Sequence, residues 1–120
     1  MRVSVRAATV AATVMVLGSL AAPALAARSH ASATRVKVIA VEFKFTVTPS
    51  IISKPGAVTF TLVNKGTIGH DFKIAGKKTP VIKPGKSVTL TVTLKAGKFP
   101  YLCTVAGHAA AGMKGLFTVK

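Results

Sequence analysis

The chain contains 120 residues, of which 50% are hydrophobic, and 17 Lys and Arg against 2 acids give it a formal net charge of +15. This length accommodates one domain and little more, and the hydrophobic fraction excludes a disordered basic tail. One Cys excludes a disulfide framework and any site of four thiolates, three His exclude a multicopper oxidase, and two acids exclude ordinary paired-carboxylate catalysis.

Residues 1–26 are predicted to be a cleaved secretory signal peptide. Arg2 and Arg6 precede an uncharged run over residues 7–22, Pro23 ends that run, and small residues lead to a cleavage site after Ala26. The alternative is a transmembrane anchor, but the run is shorter than the ~20 residues that span a bilayer. Cleavage would lower the net charge to +13 and leave no transmembrane anchor in the mature form. The signal peptide also predicts that the protein is located in the periplasm or at the extracellular face of the cell envelope.

The rest of the chain is predicted to form a flexible lead-in over residues 27–34 and a single domain over residues 35–120. The lead-in is polar and rich in Ser and Ala, and its His30 is expected to be solvated. No sustained helical period follows, whereas Pro-Gly and similar turn signals separate short stretches of alternating apolar and polar residues. An all-β domain of seven or eight strands is therefore predicted, as a sandwich or barrel.

The first strand signal contains a change of phase. Val36 and Val38 alternate with polar residues, but the next apolar set lies in the opposite phase: Val41, Phe43, Phe45 and Val47. The slip near Ile39-Ala40 predicts a β-bulge that bends one long strand or passes it between two sheets.

Alternation with a period of two predicts further half-buried strands. Residues 57–63 place Val58, Phe60 and Leu62 on one face, and residues 87–94 alternate apolar residues with Ser and Thr throughout. The inward side chains of the last two strands are expected to be Phe99, Tyr101, Cys103, Phe117 and Val119.

Four side chains that could bind a metal lie in two short segments. His70 lies in the first, and Cys103, His108 and Met113 share the second with the spacing Cys-x4-His-x4-Met. Taken singly, each could be an ordinary interior residue, as free Cys and Met often are. Two glycines in the second segment permit tight turns, which would direct His108 and Met113 back toward the sulfur.

Two His and one Cys with a weak axial Met form the donor set of a blue-copper electron-transfer site. Thiolate and thioether suit Cu(I), whereas imidazole suits Cu(II), so a fixed mixture of the three limits rearrangement between the two oxidation states. Zinc is the alternative metal, since it accepts His and Cys, but it has no use for a thioether. The residues therefore predict one type 1 copper ion.

The sequence resembles the cupredoxins, the blue copper family that includes plastocyanin, azurin and auracyanin. The resemblance covers residues 36–120, and the longer Cys–His spacing is more similar to auracyanin or azurin than to plant plastocyanin. The motifs that carry it are Pro55-Gly56-Ala-Val-Thr-Phe60, Asn64-Lys-Gly66, Gly69-His70-Asp71-Phe72, Pro84-Gly85-Lys-Ser, Gly97-Lys-Phe99-Pro-Tyr101-Leu-Cys103, the Cys-x4-His-x4-Met loop and Lys114-Gly115-Leu-Phe-Thr-Val. It implies a Greek-key β-sandwich with copper at one end. His70, Cys103 and His108 would be the strong ligands, and Met113 the axial one.

The resemblance also implies roles for residues around the ligands. Many cupredoxins have an Asn at the position of Asp71, where its side chain ties the two ligand loops together; here the carboxylate would accept from Thr104 and favour Cu(II). Gly69 matches the residue whose carbonyl makes a distant contact with copper in azurin. Two departures stand out. Ala106 replaces a frequent Pro, which implies a less rigid loop, and Leu102 replaces the exposed Tyr of plastocyanins, which removes the expectation of a Tyr-mediated electron port.

The predicted function is that of an exported, monomeric carrier of single electrons. It is not predicted to be an enzyme, because protein side chains would fill every coordination position. Electrons would cross at the edge of His108, inside a small apolar patch of Ala109, Ala110 and Ala111. The strong positive charge either serves solubility alone or steers docking onto acidic redox proteins or an anionic envelope surface, and acidic redox proteins are the predicted partners.

Two alternatives to electron transfer remain open. A periplasmic copper carrier or buffer would keep the fold and the metal, whereas a metal-free basic β-sandwich would bind anionic envelope polymers. Nucleic-acid binding is not expected, because the chain has one Tyr, no recognisable motif and an export signal.

Overall fold

The computed structural model of the chain describes residues 4, 11–14, 18 and 32–120. The chain divides into two compact units, Met1–His30 and Ala31–Lys120. The described residues of the first unit are exposed and adopt neither helix nor strand. The predicted signal peptide over residues 1–26 and most of the lead-in, His30 included, lie outside the described residues and stay predictions. In the described part of the chain, no helix has the length and apolar character that crossing a membrane requires.

Residues 32–120 contain nine strands in two sheets. The strands are β1 (Thr34–Val41), β2 (Lys44–Thr48), β3 (Ile51–Ile52), β4 (Gly56–Asn64), β5 (Lys73–Ile74), β6 (Lys77–Lys78), β7 (Ser87–Leu94), β8 (Gly97–Leu102) and β9 (Lys114–Val119). Three of them, β3, β5 and β6, contain two residues each, which is too short to show an alternation. The total of nine strands therefore exceeds the seven or eight that the alternation predicted.

The sheets have the strand orders β2-β1-β4-β7 and β3-β9-β8-β5-β6. The β1–β4 and β3–β9 pairs are parallel, and all the other pairs are antiparallel. Neighbours that are distant in sequence, such as β4 and β7, require the long connections of a Greek key. The predicted all-β Greek-key sandwich is confirmed.

An aromatic cluster joins the sheets at the centre of the core. Alternate residues of β4 point inward, so that Val58, Phe60 and Leu62 are fully buried, as predicted. The Phe60 ring centroid lies 5.3 Å from that of Phe72 and 5.2 Å from that of Phe117 in β9. Edge-to-face and tilted contacts at such distances add to the stabilisation that burial alone provides.

The predicted bulge near Ile39-Ala40 is wrong, and a hairpin takes its place. β1 and β2 are antiparallel partners, with Val41 opposite Lys44 and a two-residue turn, Glu42-Phe43, between them. A tight turn that reverses the chain shifts the phase of the apolar residues. In the sequence, this shift looks the same as the shift that a β-bulge produces. The turn exposes 40% of Phe43, which the alternation had assigned to the apolar face of a strand.

Candidate metal centre

His70, Cys103 and His108 meet at one end of the sandwich. A nitrogen of each imidazole and the Cys103 sulfur all lie within 4.8 Å of one another. His70 Nδ1 is 3.2 Å from His108 Nδ1, and Cys103 Sγ is 3.5 Å from His108 Nδ1. All three side chains are buried, at 0%, 1% and 6% relative exposure respectively for His70, Cys103 and His108.

The spacing of these donors fits a single metal ion. A tetrahedral ion that binds imidazole nitrogen at about 2.0–2.1 Å and thiolate sulfur at about 2.3 Å holds its donors roughly 3.3–3.6 Å apart. The N–N and N–S distances of 3.2 Å and 3.5 Å match that geometry. Two imidazoles and one thiolate are also the equatorial donor set of a blue-copper site.

The segment that carries His70 is fixed at both ends. Asn64, fully buried at the end of β4, donates its side-chain amide to the carbonyls of Ile68 (2.8 Å) and Ile82 (2.9 Å). His70 and Ile82 exchange two backbone hydrogen bonds of 3.2 Å and 2.9 Å. Loop 65–69 therefore has its shape set from inside, and His70 enters the core in a fixed orientation.

The second segment closes on itself between β8 and β9. The Cys103 amide donates to the carbonyl of Met113, and the Met113 amide donates to the carbonyl of His108, each over 3.0 Å. Gly107 and Gly112 have φ angles of 82° and 118°, which side-chain-bearing residues rarely adopt. These glycines produce the tight turns that the sequence predicted, and they bring His108 back beside the sulfur.

Burial raises the pKa of the Cys103 thiol above its ordinary value. Desolvation disfavours the thiolate, so the metal-free site favours the protonated thiol. A metal ion takes the thiolate as ligand and releases that proton on binding.

The other predicted site residues lie around the three donors. Met113 is fully buried at the end of the loop, and its backbone bonds to both Cys103 and His108. Asp71 is buried and accepts from the Thr104 amide over 2.6 Å and from the Thr104 hydroxyl, so that it links the two ligand segments. Gly69 lies against Val81, where an added Cβ would come within 2.8 Å of a Val81 methyl carbon. The roles predicted for these residues toward a metal stay predictions.

Sequence reasoning missed Glu42 and Phe43. Glu42 Oε1 lies 3.0 Å from His70 Nε2 and also accepts from the Thr67 amide over 2.7 Å. These hydrogen bonds, that from Thr67 first, lower the pKa of Glu42 to about 2, so the group is a carboxylate at neutral pH. The Phe43 ring contacts the His108 ring edge-on at a centroid distance of 5.0 Å. The wrong strand assignment hid both residues, because it left the turn between β1 and β2 unrecognised.

The predicted apolar patch lies in the loop around His108. Ala109 is half-buried, whereas Ala110 and Ala111 are exposed. His70 has no exposed surface, so His108 is the imidazole of the cluster that reaches the protein surface, through 6% of its area.

Comparisons with known proteins agree with this geometry. The sequence model of the cupredoxin-like domain matches residues 9–119, and none of the curated protein sequences matches the chain. Dithionite-reduced auracyanin from Roseiflexus castenholzii superposes with a TM-score of 0.63 and 22% identity, over 74% of this chain and 98% of that one. Auracyanin A from Chloroflexus aurantiacus, a "blue" copper protein, gives a TM-score of 0.64 and 20% identity, over 74% and 100%.

Copper enzymes also share the fold. Copper nitrite reductase from Nitrosomonas europaea gives a TM-score of 0.59 and 22% identity, over 74% of this chain but 42% of that one. Identities this low establish a common fold and leave the function to the site. The cluster of His70, Cys103 and His108 is positioned to bind one copper ion, and with the family match over residues 9–119 the chain belongs to the cupredoxin-like family.

Proposed function

We propose that this protein carries single electrons between redox partners by means of one type 1 copper ion. The observation that carries the proposal is the convergence of two imidazole nitrogens and one thiol within 4.8 Å in the core. When bound, copper would supply one-electron chemistry by alternating between Cu(I) and Cu(II). The description of auracyanin A as a blue copper protein supports this assignment.

The protein's contribution is to keep the donors still. Backbone hydrogen bonds fix His70 against Ile82 and fold the Cys103–Met113 loop onto itself. Donors that are held by the core rearrange little when the charge of a bound ion changes, which keeps the barrier to electron transfer low. Met113, at the end of the loop, would be the fourth and weakest ligand of the ion.

Electrons would enter and leave beside His108. The end of the sandwich around it is apolar: Phe43 packs against the His108 ring, and Ala110 and Ala111 lie in the same loop. Ile68, two residues before His70, is 42% exposed. Val81, which precedes the backbone partner of His70, Ile82, is 58% exposed. Such a surface suits brief docking, because apolar contact without many hydrogen bonds releases a partner readily.

The positive charge of the domain favours acidic partners. Every Lys and Arg of residues 32–120 is exposed, while Asp71 is buried and Glu42 is directed at His70. The surface therefore presents a field of one sign, which accelerates association with an acidic redox protein. We propose that the protein acts as a monomer.

Copper delivery is the nearest competing function. An acceptor that takes copper from a carrier must reach the ion, and here the three donors expose 6% of their surface at most. This burial favours electron transfer over rapid copper exchange. The predicted signal peptide supports an exported protein in the periplasm or at the outer face of the envelope.

Replacing Met113 by Gln is expected to retain copper and colour while lowering the reduction potential. A thioether stabilises Cu(I) relative to an amide oxygen, and the axial ligand tunes the potential of such sites. Voltammetry of the two proteins measures the difference. An unchanged potential would remove Met113 from the coordination of copper.

Replacing Ala110 by Glu tests the electron port. We expect second-order electron transfer to slow with both acidic and basic donors, because the substituted side chain obstructs contact at His108, while the visible spectrum stays the same.

In the unmodified protein, the rate with an acidic donor should fall by about tenfold or more as salt rises from low to high ionic strength. A basic donor should show the opposite trend.

Ala96 offers a matched control. It is exposed in the turn between β7 and β8, whereas the ligand loop follows the other end of β8. Replacing Ala96 by Glu makes the same change of charge away from the proposed port and should leave the rates nearly unchanged. Full activity in Ala110→Glu would place the port elsewhere, and salt-independent rates with both donors would reduce the positive charge to a solubility device.

A further inference from the structure

The turn between β1 and β2 places a partly exposed carboxylate against the buried imidazole of His70. Glu42 Oε1 lies 3.0 Å from His70 Nε2 and accepts from the amides of Thr67 (2.7 Å) and Ile68 (3.1 Å). The fit is close, because a Cβ added to Gly66 would collide with the same oxygen. Loop 65–69 thus holds the carboxylate in place, although the Glu42 side chain stays 25% exposed.

This contact decides which nitrogen of His70 carries the proton. A carboxylate only accepts hydrogen bonds, and its oxygen already receives two amide hydrogens, so His70 Nε2 must be the donor. A neutral imidazole then has its lone pair on Nδ1, the atom that lies 3.2 Å from His108 Nδ1. His70 is fully buried, and no solvent competes for either nitrogen.

The contact also places negative charge beside the segments that carry the metal ligands. The chain has 2 acids against 17 Lys and Arg, and both acids adjoin the ligand segments: Glu42 at His70, and Asp71 at Thr104, the residue after Cys103. A carboxylate that accepts from a ligand imidazole makes that imidazole a stronger donor. A stronger, more negative donor stabilises Cu(II) more than Cu(I).

We propose that Glu42 is a positioning residue of the copper site, which holds His70 with Nδ1 directed at the metal and sets the reduction potential lower than the histidine alone would. The inference rests on the proposed copper function, and it adds the turn between β1 and β2 to the residues that tune the centre.

The first arm of the test uses the metal-free protein. Imidazole 15N NMR should show the Nε2–H tautomer of His70 in the unmodified protein. The same spectrum of Glu42→Ala should show a mixture of tautomers. A single Nε2–H tautomer in both proteins would overturn the positioning role, whatever the protein does with copper.

The second arm uses copper. Glu42→Gln keeps the size and an accepting oxygen but removes the charge, and we expect a blue protein with a higher reduction potential. Glu42→Ala should weaken Cu(II) binding by roughly 10–100-fold in competition with a chelator, as is typical for loss of a group that orients a ligand. If Glu42→Gln binds Cu(II) as tightly as the unmodified protein but has a higher reduction potential, then orienting His70 and supplying negative charge are separate effects of Glu42.

Thr93→Lys is the control for net charge. It raises the net charge by one, as Glu42→Gln does, at an exposed position paired with Ala57 near the start of β4, whereas the site follows the end of that strand. Equal potentials in Glu42→Gln and the unmodified protein, or an equal rise in Thr93→Lys, would contradict the tuning role. A colourless unmodified protein would instead contradict the copper function itself, and the NMR arm would still decide the tautomer.

Discussion

Replacing Cys103 by Ser is expected to abolish the intense visible absorption that develops when Cu(II) is added to the protein. That absorption comes from charge transfer between a thiolate and Cu(II), and Cys103 supplies the only sulfur of this type in the chain. The sulfur lies 3.5 Å from His108 Nδ1 and within 4.8 Å of both imidazole donors. A hydroxyl in its place is a hard, weakly acidic donor that copper does not prefer.

A second variant in the same loop controls for the added hydroxyl. Ala106 is exposed between Cys103 and His108, so Ala106→Ser should fold, bind copper and keep the band. Circular dichroism should show the same strand content in both variants. A strong visible band in Cys103→Ser would show that the blue-copper assignment is wrong.

Replacing Phe60 by Ala is expected to cost about 3–5 kcal/mol of the free energy of unfolding. Phe60 is fully buried, and its ring lies between those of Phe72 and Phe117. Removing it leaves a cavity where the two sheets meet, and domains of this size are stable by only about 5–15 kcal/mol. Urea unfolding followed by circular dichroism measures the loss.

Thr59 provides the control from the same strand. Its side chain points to the outer face and shares an exposed hydrogen bond of 2.9 Å with Thr91, so Thr59→Ala should cost no more than about 1 kcal/mol. A similar loss in both variants would mean that the side of β4 toward Phe72 and Phe117 is not the core of the domain.

The strands that could be predicted are those that are half-buried and long. β4 and β7 alternate over eight or nine residues, and only a strand buries alternate positions in that way. β3, β5 and β6 are too short to leave a pattern. The turn at Glu42-Phe43 was missed because neither residue is a turn former, so the phase change it causes looked like a bulge.

The donors of the site could be predicted because their chemistry is rare. A lone Cys that is followed at fixed spacing by His and Met, with glycines between, has few explanations other than a metal site. Glu42 had no such signal, since a Glu beside a strand is usually a solvated residue. Its contact with His70 spans 28 positions and depends on the path of loop 65–69, which only the folded chain defines.

The most direct test of the proposed function is a titration of the purified protein with Cu(II), followed by visible absorption and EPR. We expect one equivalent of copper to saturate the site and give an intense blue colour, with an EPR signal from a strongly covalent copper–thiolate centre. One electron per protein should remove both signals, and reoxidation should restore them. A colourless protein, a preference for zinc, or uptake of copper without reversible one-electron reduction would contradict the assignment of this chain as an electron carrier.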